Sequence, residues 1–284
     1  MNEDSEKMNV CKNCDTEFIG HYCPQCGQSV SDLDRPFRVL IFDIMANMWA
    51  FDTRVLKTIK SLLFKPGEMA ADYAAGKRAR YMPPFRLYIF VSIIFFLLLN
   101  ITTTRQLGKE GSLMTISDKD TATVNSSLIK ISSKKSLTDK NSDLLKTINQ
   151  NKDYYISRFF SILSWSLFLL MPFYAFFLWV LFRKKQKYFL AHFIFAINQH
   201  TFLFLIFLII ISVNLIFPVK QVSPESWLIS IFPVYVVVGS RRLYKSGWRS
   251  TIWRVFSAQF LYMVILLIAI TVIFYFTFIS LIKT

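Results

Sequence analysis

No aspartate or glutamate stands inside any of the five long apolar runs of this 284-residue chain. Acidic residues are scarce throughout, 18 against 33 Lys and Arg. A proton relay within the membrane needs buried carboxylates, so this chemistry has no obvious carrier. Nor does the sequence show a nucleophile–base pair or a DxxD-type carboxylate cluster. Enzymatic activity therefore ranks last among the function classes considered. The first ten residues are polar and mixed in charge, with no apolar stretch. No cleavable signal peptide is expected, and the N-terminus is expected in the cytosol. All four cysteines fall between residues 11 and 26. None remains for a disulfide elsewhere, and cytosolic thiols stay reduced and free to bind metal.

What the chain does contain is apolar surface. It is 54% hydrophobic, with 29 phenylalanines, more than a soluble core of this size can hide, so lipid is the expected solvent. The net charge of +15 would suggest nucleic acid in a soluble protein. Here the cations flank apolar runs, as membrane orientation requires.

The expected fold class is an all-α integral membrane protein of about five transmembrane helices, with a small N-terminal zinc ribbon and cytosolic amphipathic helices. The ribbon is placed at residues 1–30. Cys11-Lys12-Asn13-Cys14 and Cys23-Pro24-Gln25-Cys26-Gly27 supply four thiolates, enough to close a tetrahedral zinc site. Gly27 permits the positive φ such a turn needs after its second cysteine. So short a segment cannot bury a core, and the metal would supply its folding energy. Four cysteines leave no open coordination position, which favours a structural zinc over a catalytic one. His21 lies between the pairs, but the thiolates already fill the shell. Only Lys12 offsets Asp15 and Glu17 nearby, a poor footprint for nucleic acid. A protein partner is the expected contact of this head.

Residues 31–84 are expected to form cytosolic amphipathic or interfacial helices. Phe37, Leu40, Ile41, Ile44, Met45 and Met48 recur at helical spacing. Val55, Leu56, Ile59, Leu62 and Leu63 share one face of a second helix, opposite Arg54, Lys57, Lys60 and Ser61. That face could lie on lipid or pack on the bundle, since both need one apolar stripe. Lys65-Pro66-Gly67 ends it. A third helix, from Glu68 to Ala75, would stop at Gly76. Then comes a basic junction, Gly76-Lys77-Arg78-Ala79-Arg80-Tyr81-Met82-Pro83-Pro84-Phe85-Arg86. Lys77, Arg78, Arg80 and Arg86 are candidate contacts for anionic lipid headgroups of the bilayer or for a partner.

The expected spans are 85–101, 159–182, 191–217, 227–239 and 256–282, each compared with the about 20 residues that cross a bilayer. The fourth is short and holds Pro233. Residues 102–158 read as an extracytoplasmic, polar connector. Segments 1–86, 183–190 and 240–255 carry 12, 4 and 5 Lys/Arg. By charge bias they face the cytosol, which leaves the C-terminus extracytoplasmic. On the third span, His192, Gln199, His200 and Asn214 share an arc of about 100°. They could line a path for a transported small molecule or lipid, or tie helices together.

Several motifs together resemble a family of uncharacterised bacterial membrane proteins, found mainly in Bacteroidota, with an N-terminal zinc ribbon. They are Cys11-x-x-Cys14…Tyr22-Cys23-Pro24-x-Cys26-Gly27-Gln28, Lys65-Pro66-Gly67, and Tyr73-x-x-Gly76-Lys77-Arg78-x-x-Tyr81-x-Pro83-Pro84. His192-Phe193-x-Phe195-Ala196 and Tyr235…Arg241-Arg242-Leu243-Tyr244 follow. Asn198 stands near the place where a second histidine is expected. The resemblance implies architecture and location but no activity. A non-enzymatic scaffold or adaptor is the leading reading, and a transporter or lipid-handling protein is the alternative.

Overall fold

The computed structural model describes residues 8–29, 54–109, 115–116, 122–123, 152–216 and 224–283. The amphipathic stripe expected over 36–51 lies outside them. The chain divides into two compact units, Met1–Ile93 with Leu170–Met263, and Ile94–Leu169 with Val264–Thr284.

The first unit opens with β1 (Met8–Val10) paired antiparallel to β2 (Glu17–Ile19), with Met8 opposite Ile19 and Val10 opposite Glu17. Side chains alternate across this ribbon. Phe18 is buried with Cys11 and Cys23, while Met8, Val10 and Ile19 point away and are exposed. Helix α1 (Val55–Phe64) and helix α2 (Glu68–Ala74) follow. The Lys65-Pro66-Gly67 break and the stop at Gly76 stand where the sequence puts them. Lys77 N–H donates to Asp72 O at 2.8 Å and Gly76 N–H to Tyr73 O at 3.0 Å, with Gly76 at φ 87°. These two bonds close the helix end that a positive-φ glycine allows.

The packed face of α1 is rotated from the expected apolar stripe. Thr58, Ser61 and Leu62 are buried, whereas Leu56 and Phe64 are 81% and 76% exposed. Thr58 can turn inward because its hydroxyl donates to Arg54 O and accepts from Met82 N–H. Ser61 is answered by Glu68 at 3.2 Å. Polar groups with partners are cheap to bury.

Among the described residues, four helices are long and apolar enough to cross a membrane: α3 (Pro84–Lys109), α4 (Lys152–Phe182), α5 (Phe189–Ile216) and α7 (Trp248–Lys283). They outrun the expected spans, because helical hydrogen bonding continues past the apolar window into the flanks. The connector expected over 102–158 is thus helical at both ends, and it holds a short antiparallel pair, β3 (Thr115–Ile116) with β4 (Ala122–Thr123). In the second unit Asn100 on α3 and Ser157 on α4 exchange hydrogen bonds at 3.0 and 3.3 Å.

The segment expected as the fourth span is broken. It is a 3₁₀ helix (Pro224–Ser230) followed by α6 (Ile231–Tyr244). The 14 residues of α6 extend only about 21 Å at 1.5 Å each. Pro233 sits in the first turn of α6, where its missing N–H is harmless. Helix α6 runs antiparallel along α5. Phe202 stacks on Tyr235 at 3.6 Å, Phe195 meets Gly239, and His192 stacks on Tyr244 at 5.2 Å. The N-terminal half of α5, from Ala191 to Phe202, is buried on all sides, so α5 is the core helix of this unit.

Candidate metal centre and the contacts that seat it

The two cysteine knuckles are built on one backbone pattern. In the first, Cys11 N–H donates to Thr16 O and Asp15 N–H to Cys11 O, both at 2.9 Å. In the second, Cys23 N–H donates to Gln28 O and Gly27 N–H to Cys23 O, again at 2.9 Å. The fourth residue after each leading cysteine carries positive φ: 58° at Asp15 and 72° at Gly27. The glycine was legible in advance. Asp15 was missed, although aspartate is among the few side chains that tolerate this region and it stands at the same spacing.

This pairing turns all four sulfurs to one point. Cys11 to Cys26 and Cys14 to Cys23 are 3.5 Å apart, Cys14 to Cys26 is 3.6 Å, and all four Sγ atoms lie within 4.8 Å of one another. Zinc–sulfur bonds of about 2.3 Å give a tetrahedron with edges of about 3.8 Å. The donor set and its spacing therefore fit one tetrahedral metal ion. Asn13 N–H points at Cys11 Sγ at 3.4 Å, and the Thr16 hydroxyl lies 3.2 Å from Cys14 Sγ. These groups orient the sulfurs as outer partners do. The Thr16 hydroxyl and amide hold the Cys14 thiol down to about 6, while burial pushes Cys11 up to about 12. A metal ion would displace the remaining protons. Among the described residues, these four are the group able to hold a metal ion.

Gln28, the residue after the second knuckle, seats the ribbon on the basic junction. Its Nε2 donates to Gly76 O at 2.7 Å. Its Oε1 accepts from Arg78 N–H at 3.1 Å and Ala79 N–H at 3.2 Å. One buried amide thus satisfies three backbone groups of a turn some 50 residues away. Asp72 braces the same turn from α2, taking Tyr81 Oη–H at 2.8 Å and Arg80 Nη1–H at 3.3 Å. Arg54 reaches Ala79 O.

The four junction cations stand in different settings. Arg80 pairs with Asp72, Arg86 is buried in α3, and Lys77 and Arg78 are half-buried. The third-span arc is divided as well. His192 Nε2 faces Gln186 O at 3.0 Å, which makes it the protonated nitrogen; Nδ1 accepts the Tyr244 hydroxyl at 2.8 Å. For His200 the tautomer reverses. Nδ1–H donates to Ala196 O and Nε2 accepts from Tyr262, each at 2.8 Å. Tyr174 donates to Gln199 Oε1 at 2.6 Å and lies 3.2 Å from Gln259 Oε1. Asn214 turns back to Ile210 O on its own helix at 3.0 Å. Helices α4, α5 and α7 are thereby tied by side-chain hydrogen bonds. Tyr174, Tyr262 and Gln259 were not singled out in the sequence, because a helical wheel shows a face but not what meets it.

The motif pieces meet in pairs: Gln28 with the Gly76–Ala79 turn, His192 with Tyr244, and Pro66-Gly67 with α6. Arg242 Nη1 donates to Pro66 O at 3.3 Å, and Gly67 abuts Gly239. Residues 52–96, which hold α1, α2, the junction and the start of α3, match the model of a family described as a protein of unknown function (DUF3667). No curated protein and no solved structure matches the chain.

Proposed function

We propose that this chain is a multi-pass protein of a bacterial inner membrane, acting as a non-enzymatic scaffold whose zinc-bearing cytosolic head binds a protein partner. The observation that carries this reading is the outer face of the β1–β2 ribbon. Met8, Val10 and Ile19 sit together there, each 60–65% exposed. Apolar side chains gathered on one side of so small a head mark a contact surface. The sulfurs face the other way, so the metal shapes the head without taking part in the contact.

Zinc is the metal proposed, because a closed set of four thiolates at tetrahedral spacing suits it. The proposed topology has five crossings, with the N-terminus cytosolic and the C-terminus extracytoplasmic. The antiparallel pairing of α6 on α5 supports it, since the 3₁₀ segment and α6 together reach about 35 Å. Lys57, Lys60, Leu56 and Phe64 on the outer side of α1, with Lys77 and Arg78, are proposed to meet anionic headgroups. The transporter alternative has less support, because His192, His200 and the Gln199 side-chain oxygen are engaged by neighbouring tyrosines and Asn214 by its own helix.

The test compares the intact chain with a Val10→Ser/Ile19→Ser variant, purified from native membranes with zinc content measured. One protein at stoichiometric level with the wild type, and lost with the variant at equal zinc content, supports the scaffold. Equal recovery of the same proteins with both contradicts it.

A further inference from the structure

The ribbon could have hung from the membrane domain on a tether. Instead the Gln28 side chain fastens it to the turn that leads into α3. We propose that Gln28 couples metal occupancy of the ribbon to the conformation of the Gly76–Ala79 turn, so that this turn changes state when the metal is lost. The inference rests on the proposed metal site.

Three observations carry it. Gln28 is 8% exposed and, among the described residues, its side chain bonds to backbone groups of the turn, through Gly76 O, Arg78 N–H and Ala79 N–H. The backbone of Gln28 belongs to the metal knuckle, since its carbonyl accepts from Cys23 N–H. The Gln28 side chain can hold its position only while the knuckle is folded. The ribbon has almost no core besides Phe18 and the cysteines, so the metal supplies its fold. On metal loss the knuckle opens, Gln28 withdraws, the Ala79 amide loses its acceptor, and the Arg78 amide is left with Gly76 O at 3.2 Å.

The turn is poised to respond. Gly76 sits at φ 87°, and Lys77 and Arg78 follow it at the entry to α3. Other bonds keep the turn on α2: Asp72 takes Arg80 and Tyr81, Lys77 N–H donates to Asp72 O, and Arg54 reaches Ala79 O. Loss of the metal therefore loosens the Arg78–Ala79 amides while leaving α2 and α3 in place. Coupling of this kind is reciprocal. Docking on the turn must favour the metal-bound ribbon by the same factor that the metal favours docking.

The experiment is hydrogen exchange on the full chain in lipid nanodiscs, zinc-loaded and then stripped with a chelator, for wild type, Gln28→Ala and Gln28→Glu. Chelation is expected to speed exchange of the Arg78 and Ala79 amides roughly fivefold or more, the factor one net hydrogen bond confers. Gln28→Ala does the same with metal bound, whereas Gln28→Glu keeps acceptor oxygens and retains their protection. Gln28→Ala is also expected to weaken zinc affinity several-fold in chelator competition, although Gln28 is no ligand. Slow exchange at Arg78 and Ala79 after chelation, with Cys23 and Gly27 amides now fast, overturns the coupling and leaves the metal site standing. Protected Cys23 and Gly27 amides after chelation overturn the metal-dependent fold itself, and the coupling with it.

Discussion

Gly67 and Gly239 touch backbone to backbone. A Cβ built on Gly67 would stand 2.7 Å from Gly239 Cα, and Gly67 also holds φ 75°. The start of α2 is thereby pressed onto α6, which lies along α5. Gly67→Ala faces both a left-handed backbone and an overlap with main chain that cannot swing aside. Destabilisation of roughly 2–4 kcal/mol is expected, read as a lowered unfolding midpoint in detergent. Gly239→Ala should cost less. Its Cβ meets the edge of the Phe195 ring at 3.0 Å, and alanine is the better helix former. Equal effects from the two changes would contradict this packing.

His200 and Tyr262 join α5 to α7 through a 2.8 Å hydrogen bond. A double-mutant cycle of His200→Leu and Tyr262→Phe is expected to return a coupling of about 0.6–1.7 kcal/mol. The corresponding cycle of His192→Leu and Tyr244→Phe should behave alike. Additive effects in both cycles would show that these bonds do not hold the bundle.

Tyr81 lies outside the spans, and burial, aided by the Asp72 carboxylate, pushes its phenol up to about 12. The folded state thus holds this proton more tightly than the unfolded chain, whose tyrosine ionises near 10. The stability it contributes is complete below about pH 10 and is lost as pH rises towards 12. Comparison of wild type with Tyr81→Phe isolates the effect. The unfolding midpoints should stay a constant distance apart to about pH 10, after which the wild type falls away. Parallel curves to pH 12 would contradict the buried Tyr81–Asp72 contact.

Much of this architecture was legible because its causes are local. The cysteine spacing, Gly27, the Pro66-Gly67 break and the Gly76 stop each reflect one backbone requirement, and the structure places them as expected. Apolar runs announce helices because the bilayer demands a minimum length. What escaped the sequence depends on partners. Lipid and protein are equally apolar, so hydropathy could not single out α5 as the buried helix. The inward face of α1 was misread because Thr58 and Ser61 count as polar until Met82 and Glu68 are seen to satisfy them. On the third span, His192, His200 and Asn214 engage different partners, which a helical wheel cannot show. Gln28 carried one signal, its place directly after the knuckle, and nothing in the sequence named the turn it holds.

Topology gives a further expectation. Reporters fused after Thr284 and within residues 124–150 should both be active only outside the cytosol, as five crossings require. A C-terminal reporter active only in the cytosol would reduce the crossings to an even number and place the 3₁₀–α6 segment on one side of the membrane.

Metal content paired with a thiol count shows most directly whether the head folds around a metal. Purified full-length chain is expected to carry about one zinc per molecule, with Cys11, Cys14, Cys23 and Cys26 unreactive until a chelator is added. After chelation all four thiols should titrate as the zinc is released. A chain without metal, whose four thiols react at once while its β1–β2 amides stay protected from exchange, would contradict the account.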